Sequence, residues 1–374
     1  MGLKILISGG GTGGHIYPGI SLAREFKARD NENDILFVGT NRGLETKIIP
    51  HEGFEIKTIN ARGIERKLCL NSIKAVFIFF ISLVQSFKIL KKYQPDCVIG
   101  TGGYVSGSVV LMASFLRIPI FIHEQNAIPG ITNKLLSCFA IKTFISFKQS
   151  GKYFKYKERL FFSGNPIRLW KINQITEDNY RKFRLNSSKK TILVIGGSKG
   201  AATINSAVIN GIKLLQENFR NEWQVLLVSG EEDYNTVNSH ISIDDSYLRV
   251  MPYIYEMSTA YRIADIIICR AGATTLAEVS AYGIPSIIIP YPFATDNHQE
   301  VNARIFEKNG AAMVILDKEL TGKKLASVLS FVIDNDNQLN IMAEKSKNIG
   351  RTDAAEKIIN EILNHLQTES FVSK

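Results

Sequence analysis

The stretch KILISGGGTGGHIYPG, Lys4 to Gly19, runs from an apolar strand-like segment (Lys4–Ser8) through a turn of nearly bare backbone into a helix-length segment that begins with His15. Glycines at such a turn let backbone N–H groups converge on the positive end of the following helix without Cβ atoms in the way. The guest that suits this arrangement is an anion, phosphate above all. Gly9, Gly11 and Gly14 also satisfy the dinucleotide pattern G-x-G-x-x-G. The second strand, however, ends LFVGTN (36–41), with no acid at its tip to hold a ribose, and no G-x-x-x-x-G-K-[ST] occurs anywhere. The NAD and P-loop readings are therefore disfavoured. An isolated histidine is more often a capping or packing residue, but His15 stands against an expected anion site. An imidazole there suits a general base or a diphosphate contact.

The same order of parts returns at TILVIGGSKGA, Thr191–Ala201, where Ser198 and Lys199 add a hydroxyl and a charge to the backbone donors of the turn. Around these two anchors, strand-like runs alternate with helix-length segments. The runs are Lys4–Ser8, Asp34–Val38, Cys97–Gly100, Ile118–Ile122, Thr191–Ile195, Gln224–Val228, Ile266–Cys269 and Ser286–Ile289. They are short, continuous and rich in Ile and Val, as parallel strands covered on both faces are. The pattern predicts an α/β protein with right-handed crossovers. At 374 residues the chain suits two domains. An N-terminal domain is expected over 1–165 and a C-terminal one over 166–345. The remainder, 346–374, has helical spacing and is expected to pack back across the domains.

An apolar fraction of 45% is that of a folded chain, and the formal charge is +10. No recognition-helix or zinc-finger signature and no basic run interleaved with aromatics is present, so nucleic acid is not an expected partner. The charge suits an anionic membrane surface or a phosphorylated substrate at least as well, and a basic protein can also need no acidic partner. Four scattered cysteines (Cys69, Cys97, Cys138, Cys269) have no metal-ligand spacing, and the N-terminus lacks the pattern of a signal peptide. A reduced, cytoplasmic protein is expected.

AVFIFFISLV, Ala75–Val84, is apolar on every helical face and is followed by Lys88, Lys91 and Lys92. It is too short to span a bilayer, which takes about 20 such residues. Either it is a buried helix or it is an interfacial patch, with aromatic residues in lipid and lysines at anionic headgroups. Farther on, RAGATTLAE (Arg270–Glu278) follows a strand with a small-residue turn, Thr274 and Thr275 at a helix start, and Glu278 one turn inside. An ordinary capped helix has these parts. A nucleotide site uses the same parts, with amides for a phosphate and a carboxylate for a ribose diol.

Seven motifs stand in the order and approximate spacing of the MurG family: GGTGGHIYPG, TGGYVSG (Thr101–Gly107), HEQNAIPG (His123–Gly130), GNPIR (Gly164–Arg168), GGSKGA, RAGATTLAE and DNHQEVNA (Asp296–Ala303). The chain resembles that family from Lys4 to Ala303. The resemblance implies a GT-B fold, with two Rossmann-like doubly wound domains facing each other across a cleft. It implies transfer of GlcNAc, with inversion, from UDP-GlcNAc to the 4-hydroxyl of MurNAc in lipid I, the undecaprenyl-diphosphate-linked muramyl pentapeptide, forming lipid II.

By the same likeness Ser198, Ile254 (through its backbone), Ala273, Thr274, Thr275, Leu276, Ala277, Glu278, Arg168 and Gln299 would contact the donor. Thr12, Gly13, Gly14 and Asn126 would reach it from the first domain. Gly11, Gly13, Gly14, Gly102, Gly103 and Tyr104 would hold the acceptor diphosphate. His15 is the first choice for the general base and Glu124 the second, although Glu124 in HEQN is equally read as a structural carboxylate holding its loop. Lys199 stands where the family usually carries glutamine. No Asp-x-Asp pair is placed for a divalent ion, so neither metal nor cofactor is expected. The family's work on a lipid-tailed acceptor favours the interfacial reading of Ala75–Val84. It implies a peripheral protein on the cytoplasmic face of the membrane, with cell-wall synthesis and division proteins as candidate partners. The rival readings are another GT-B UDP-sugar transferase with a lipid acceptor, a UDP-GlcNAc epimerase, and a non-catalytic scaffold.

Overall fold

In a computed structural model of the chain, residues 2–61, 70–168, 175–197, 200–215, 217–241 and 247–372 are described. The chain divides into two compact units, Met1–Arg168 with Arg351–Lys374, and Leu169–Gly350. No helix among the described residues is long and apolar enough to cross a membrane.

The first unit is built on seven strands: β1 (Lys4–Gly9), β2 (Asp34–Thr40), β3 (Glu55–Ile59), β4 (Cys97–Gly102), β5 (Ile120–Glu124), β6 (Lys142–Ile145) and β7 (Leu160–Phe162). All pair in parallel in the order β3-β2-β1-β4-β5-β6-β7. The connecting helices are α1 (Gly13–Arg29), α2 (Glu45–His51), α3 (Leu70–Tyr93), α4 (Tyr104–Phe115) and α5 (Ile131–Leu136). Ile5, Ile7, Cys97, Ile99 and Phe121 face one helical layer, and Leu6, Leu36, Val98 and Ile122 face the other, so the central strands are buried on both sides. That two-sided burial is why they read as continuous apolar runs.

The second unit repeats the plan with β8 (Lys190–Ile195), β9 (Trp223–Val228), β10 (Leu248–Met251), β11 (Ile266–Cys269), β12 (Ser286–Ile288) and β13 (Ala312–Val314). Their order is β10-β9-β8-β11-β12-β13, again all parallel. Between them come α6 (Glu177–Arg181), α7 (Ala202–Ile212), α8 (Glu217–Glu222), α9 (Tyr234–Ser239), α10 (Met257–Ile263), α11 (Ala273–Tyr282) and α12 (His298–Lys308). The helices α13 (Gly322–Ile333) and α14 (Asp336–Ile349) complete this unit.

The last helix, α15 (Ala354–Val372), belongs to the first unit. Ile358, Ile359 and Ile362 enter the same core as Ile16, Ile20 and Phe26 of α1, and Lys142 pairs with Glu361 at 2.9 Å.

Within Ala75–Val84 the described side chains, from Phe77 on, divide between a buried and an exposed face, so the stretch is not the fully buried helix of the first reading. Ser82, Ser86 and Leu90 are buried, while Phe77, Phe80 and Val84 are 68%, 61% and 56% exposed. The buried hydroxyls are satisfied by the helix itself, Ser82 donating to Phe79 O and Ser86 to Ser82 O. The small polar side chains let α3 seat closely, and the aromatic ones are left outside. Phe115 of α4, which packs against α3, is 74% exposed.

Candidate functional site

Both sheets reverse strand order beside their first strand, between β1 and β4 and between β8 and β11. Chains leaving the sheet in opposite directions there open a crevice at the strands' carboxyl ends, where open α/β sheets bind ligands. GGTGGH and TGGYVSG lie at the ends of β1 and β4, at the first of these points, and RAGATTLAE follows β11 at the second.

In the first unit, Thr12 precedes α1 in extended conformation with no side-chain cap, and the first turn of α1 carries no acid. The Gly13 and Gly14 amides are therefore the open positive end of a helix. Gly11 is engaged differently. Its N–H donates to Glu45 Oε2 at 3.0 Å, while Thr40 donates to Glu45 Oε1 through both its amide and its hydroxyl. Glu45 is wholly buried, and a Cβ on Gly10 would lie 2.4 Å from its Oε1. One of the glycines that suggested a phosphate turn is thus bare in order to admit a carboxylate. The acid missing from the tip of β2 is supplied five residues later from α2, and it binds backbone rather than ribose.

TGGY lies across the crevice at the end of β4. Gly102 has a positive φ of 112°, and a Cβ there would stand 2.7 Å from His15 Nδ1. It must be glycine for the imidazole to reach the chain. A Cβ on Gly103 would fall 2.5 Å from the Gly10 carbonyl oxygen, and Tyr104 opens α4 with its ring exposed. Gly102 and Gly103 therefore brace the turn that carries His15. His15 Nδ1 meets Thr101 O at 3.0 Å and Gln125 Oε1 at 3.1 Å. Both are acceptors, so Nδ1 carries the proton and the basic lone pair lies on Nε2.

Glu124, the alternative base, is fully buried, and burial pushes its carboxyl up despite the hydrogen bonds that pull it down. Its Oε1 accepts from the amide of Asn126 at 2.8 Å, and its Oε2 accepts from the Gly130 amide at 3.1 Å and from Asn133 Nδ2 at 2.9 Å. The geometry is that of a carboxylate holding its own loop, which places Asn126. Arg168, expected at the donor, ion-pairs with Glu52 at 2.6 Å and lies over the Tyr17 ring at 4.3 Å, within the first unit.

In the second unit, Ser198 and Lys199 lie outside the described residues. The α11 helix starts after Gly272 with no side-chain cap and no acid in its first turn, and Thr274 and Thr275 are half-buried there. Two neighbours from the expected set do not line a site with their side chains. Ala273 is almost buried, and Leu276 is wholly buried with its N–H bonded to Gly272 O, because the apolar stripe of α11 seats the helix on the sheet. Ala277 is half-buried, and Ile254 anchors its backbone with a buried side chain.

Tyr261 OH donates to Glu278 Oε2 at 2.9 Å. Burial and then the charge of Glu278 push the Tyr261 hydroxyl well above its usual range, so it stays a donor. Gln299 Oε1 accepts from the amides of Ala271 at 3.1 Å and Tyr291 at 3.0 Å, leaving its NH2 as the donor end. Asn302, wholly buried one turn later, donates to Ala271 O.

Sequence reasoning passed over Glu45, Gln125 and Arg270. Arg270 donates to the Ile289 and Pro290 carbonyls and to Thr203, and it pairs with Asp317, which ties the ends of β11 and β12 together. The signal for Gln125 was its place between two residues already singled out. Glu45 had only the residues following LFVGTN.

Residues 5–145 match the glycosyltransferase family 28 N-terminal domain, and residues 191–358 match the family's C-terminal domain. A Thermoanaerobacter sp. (strain X514) protein is 44% identical over 360 residues, 95% of this chain and 98% of that one. Its name is UDP-N-acetylglucosamine--N-acetylmuramyl-(pentapeptide) pyrophosphoryl-undecaprenol N-acetylglucosamine transferase. An Acetivibrio thermocellus protein of the same name is 43% identical over 357 residues, 95% of this chain and 96% of its own. The crystal structure of Acinetobacter baumannii MurG superposes with a TM-score of 0.76 at 27% identity, covering 97% of this chain and 99% of that one. A putative UDP-N-acetylglucosamine 2-epimerase from Listeria monocytogenes reaches 0.70 at 12% identity, covering 98% of each chain, a likeness of fold alone.

His123 supplies a test of this site's packing. It is wholly buried, and chiefly for that reason its imidazole is pushed from 6.5 down to about 4. As pH falls the unfolded chain takes up this proton first, so stability present above pH 6.5 is lost on the way down to about 4. Between roughly pH 7 and pH 5 this one group is expected to remove about 2 kcal/mol. Urea unfolding of the wild type and His123→Asn at both pH values measures it, and equal pH dependence in the two proteins would assign the loss to other groups.

Proposed function

The chain belongs to the MurG family within glycosyltransferase family 28, and from that premise we propose how its two units carry the reaction. It is an inverting, UDP-GlcNAc-dependent N-acetylglucosaminyltransferase of GT-B fold. It moves GlcNAc to the 4-hydroxyl of MurNAc in undecaprenyl-diphosphate-MurNAc-pentapeptide, turning lipid I into lipid II. The observation that carries this reading is the kinship at 44% identity along 95% of the chain. The geometry supports it with a chemically fitting place for each substrate.

The second unit takes the donor. The positive end of α11 faces the UDP diphosphate, Glu278, held by Tyr261, accepts the ribose hydroxyls, and the Gln299 NH2 donates to nucleotide or sugar. The Ile254 backbone pairs with uracil, and Ser198 contacts the diphosphate. The first unit takes the acceptor. The Gly13 and Gly14 amides and the Tyr104 ring meet its diphosphate, with Gly11, Gly102 and Gly103 shaping the turn. His15 Nε2 takes the proton of the 4-hydroxyl as its oxygen bonds to the anomeric carbon. The bond from that carbon to UDP breaks with its electron pair staying on the diphosphate. Fixed helix dipoles favour the charge that develops there. Arg168 acts from behind this site, stacked on Tyr17 two residues from His15.

An enzyme with a polyprenyl-linked acceptor works at a membrane surface. Phe77, Phe80, Val84 and Phe115 would enter the interface while Lys88, Lys91 and Lys92 meet anionic headgroups. On this reading the protein works peripherally on the cytoplasmic face, with wall-synthesis and division proteins as its candidate partners.

Transfer of labelled GlcNAc from UDP-GlcNAc to a lipid I analogue tests the reaction. The wild type should transfer and His15→Ala should lose transfer by a factor on the order of 100 or more. Wild type that binds UDP yet transfers nothing would move the acceptor to another lipid-linked sugar. Glu278→Ala is expected to weaken UDP binding by about 1–3 kcal/mol, and unchanged affinity by calorimetry would put the ribose elsewhere. The double change Phe77→Ser, Phe80→Ser should reduce sedimentation with anionic vesicles and leave thermal unfolding in place; undiminished sedimentation would remove α3 from the membrane contact.

A further inference from the structure

A buried chain of side chains in the first unit leads away from His15, and the proton positions along it are determined link by link. At its far end Ser146 Oγ donates to Glu124 O at 3.0 Å, so its lone pair faces His123 Nε2 at 3.2 Å. Gly164 O, a second acceptor, lies 3.2 Å from the same nitrogen. His123 Nε2 therefore carries the proton and Nδ1 the lone pair. Gln125 Nε2 donates toward that lone pair at 3.1 Å, and also to Thr101 O at 2.8 Å and His123 O at 3.2 Å. A flipped Gln125 amide would set its oxygen against two carbonyls and a ring lone pair. Its Oε1 is thus held toward His15 Nδ1 at 3.1 Å.

We propose that Gln125 and His123 are positioning residues that dictate which ring nitrogen of His15 is basic. Gln125 presents an acceptor that only the Nδ1–H form of His15 can satisfy, and His123 prevents the Gln125 amide from turning over. The lone pair of His15 is thereby kept on Nε2, the nitrogen away from Thr101. The inference rests on His15 being the base that receives the acceptor proton. Thr101 O alone would hold the ring less firmly, since it is shared with Gln125 and sets no torsion about the imidazole. Gln125 and His123 are both buried, so water does not substitute for either. Among the described hydrogen bonds, His123 O and Glu124 Oε2 share Asn133 Nδ2, so the chain of contacts joins the titratable groups His15, His123 and Glu124.

Two variants of the full chain test this, Gln125→Met, which keeps length and removes the amide, and His123→Phe, which keeps a ring and removes the lone pair. Long-range proton–nitrogen spectra of histidine-labelled protein report the tautomer of His15, its signals identified by their absence from His15→Ala. Wild type should show the Nδ1–H pattern, and each variant should show a mixture. Each variant should lower kcat on the order of tenfold, with KM for UDP-GlcNAc and UDP affinity within about twofold of wild type. UDP affinity also verifies folding, and either variant alone suffices if the other does not fold. The wild-type nitrogen pattern in both variants overturns the proposal whatever the kcat, and a lower kcat with that pattern does so in favour of plain packing. A mixed tautomer with undiminished kcat, or full activity in His15→Ala, shows instead that His15 is not the base.

Discussion

Where the order of parallel strands reverses, two connections diverge, and in the first unit they leave backbone close against backbone. Every functional feature of the first unit depends on how that approach is accommodated. Gly102 lets the β4 end come within reach of the His15 ring, and Gly103 brings it against Gly10, so a histidine on one connection is gripped by the carbonyl of the other. Any Cβ at Gly102 would push the imidazole off Thr101 and leave it to choose its own tautomer. The glycines at this crevice serve close approach as much as they serve a phosphate.

A second regularity follows from that crowding. Polar side chains hold the loops, and helix starts are left open. Glu45 fastens the glycine turn, Glu124 fastens the HEQN loop, and Gln299 with Asn302 fastens the turn before α11. The first turns of α1 and α11 receive neither a side-chain cap nor an acid. A missing cap costs about 1 kcal/mol per helix. The same deficit occurs at α4, α5, α7, α9 and α10, so it is the place of α1 and α11 at the crevices, and not the missing cap, that singles them out.

The sequence was most legible where burial is two-sided. The eight strands read as apolar runs all exist, with ends displaced by a residue or two, as when Ile118–Ile122 becomes β5 at Ile120–Glu124. The five unseen strands, β3, β6, β7, β10 and β13, are short or lie at or next to a sheet edge, where one face is partly open and the apolar signal breaks up. In α3 the composition said apolar on all sides. Only packing revealed that Ser82 and Ser86 turn inward and the phenylalanines outward, because close helix seating favours small residues over hydrophobic ones.

By itself the sequence determined the doubly wound α/β class, the duplicated strand–glycine–helix units, the family, and the short list of residues at the crevices. Those properties are carried by local pattern: periodicity, turn chemistry and motif spacing. The tertiary structure alone decided which of those residues present chemistry and which hold the site together. It set Leu276 into the core, turned Glu124 into a loop anchor, tied Arg168 to Glu52 and Tyr17, and aimed the lone pair of His15 through Gln125 and His123. Those outcomes depend on hydrogen bonds between residues up to more than a hundred positions apart, and no local pattern encodes the direction in which such a bond points.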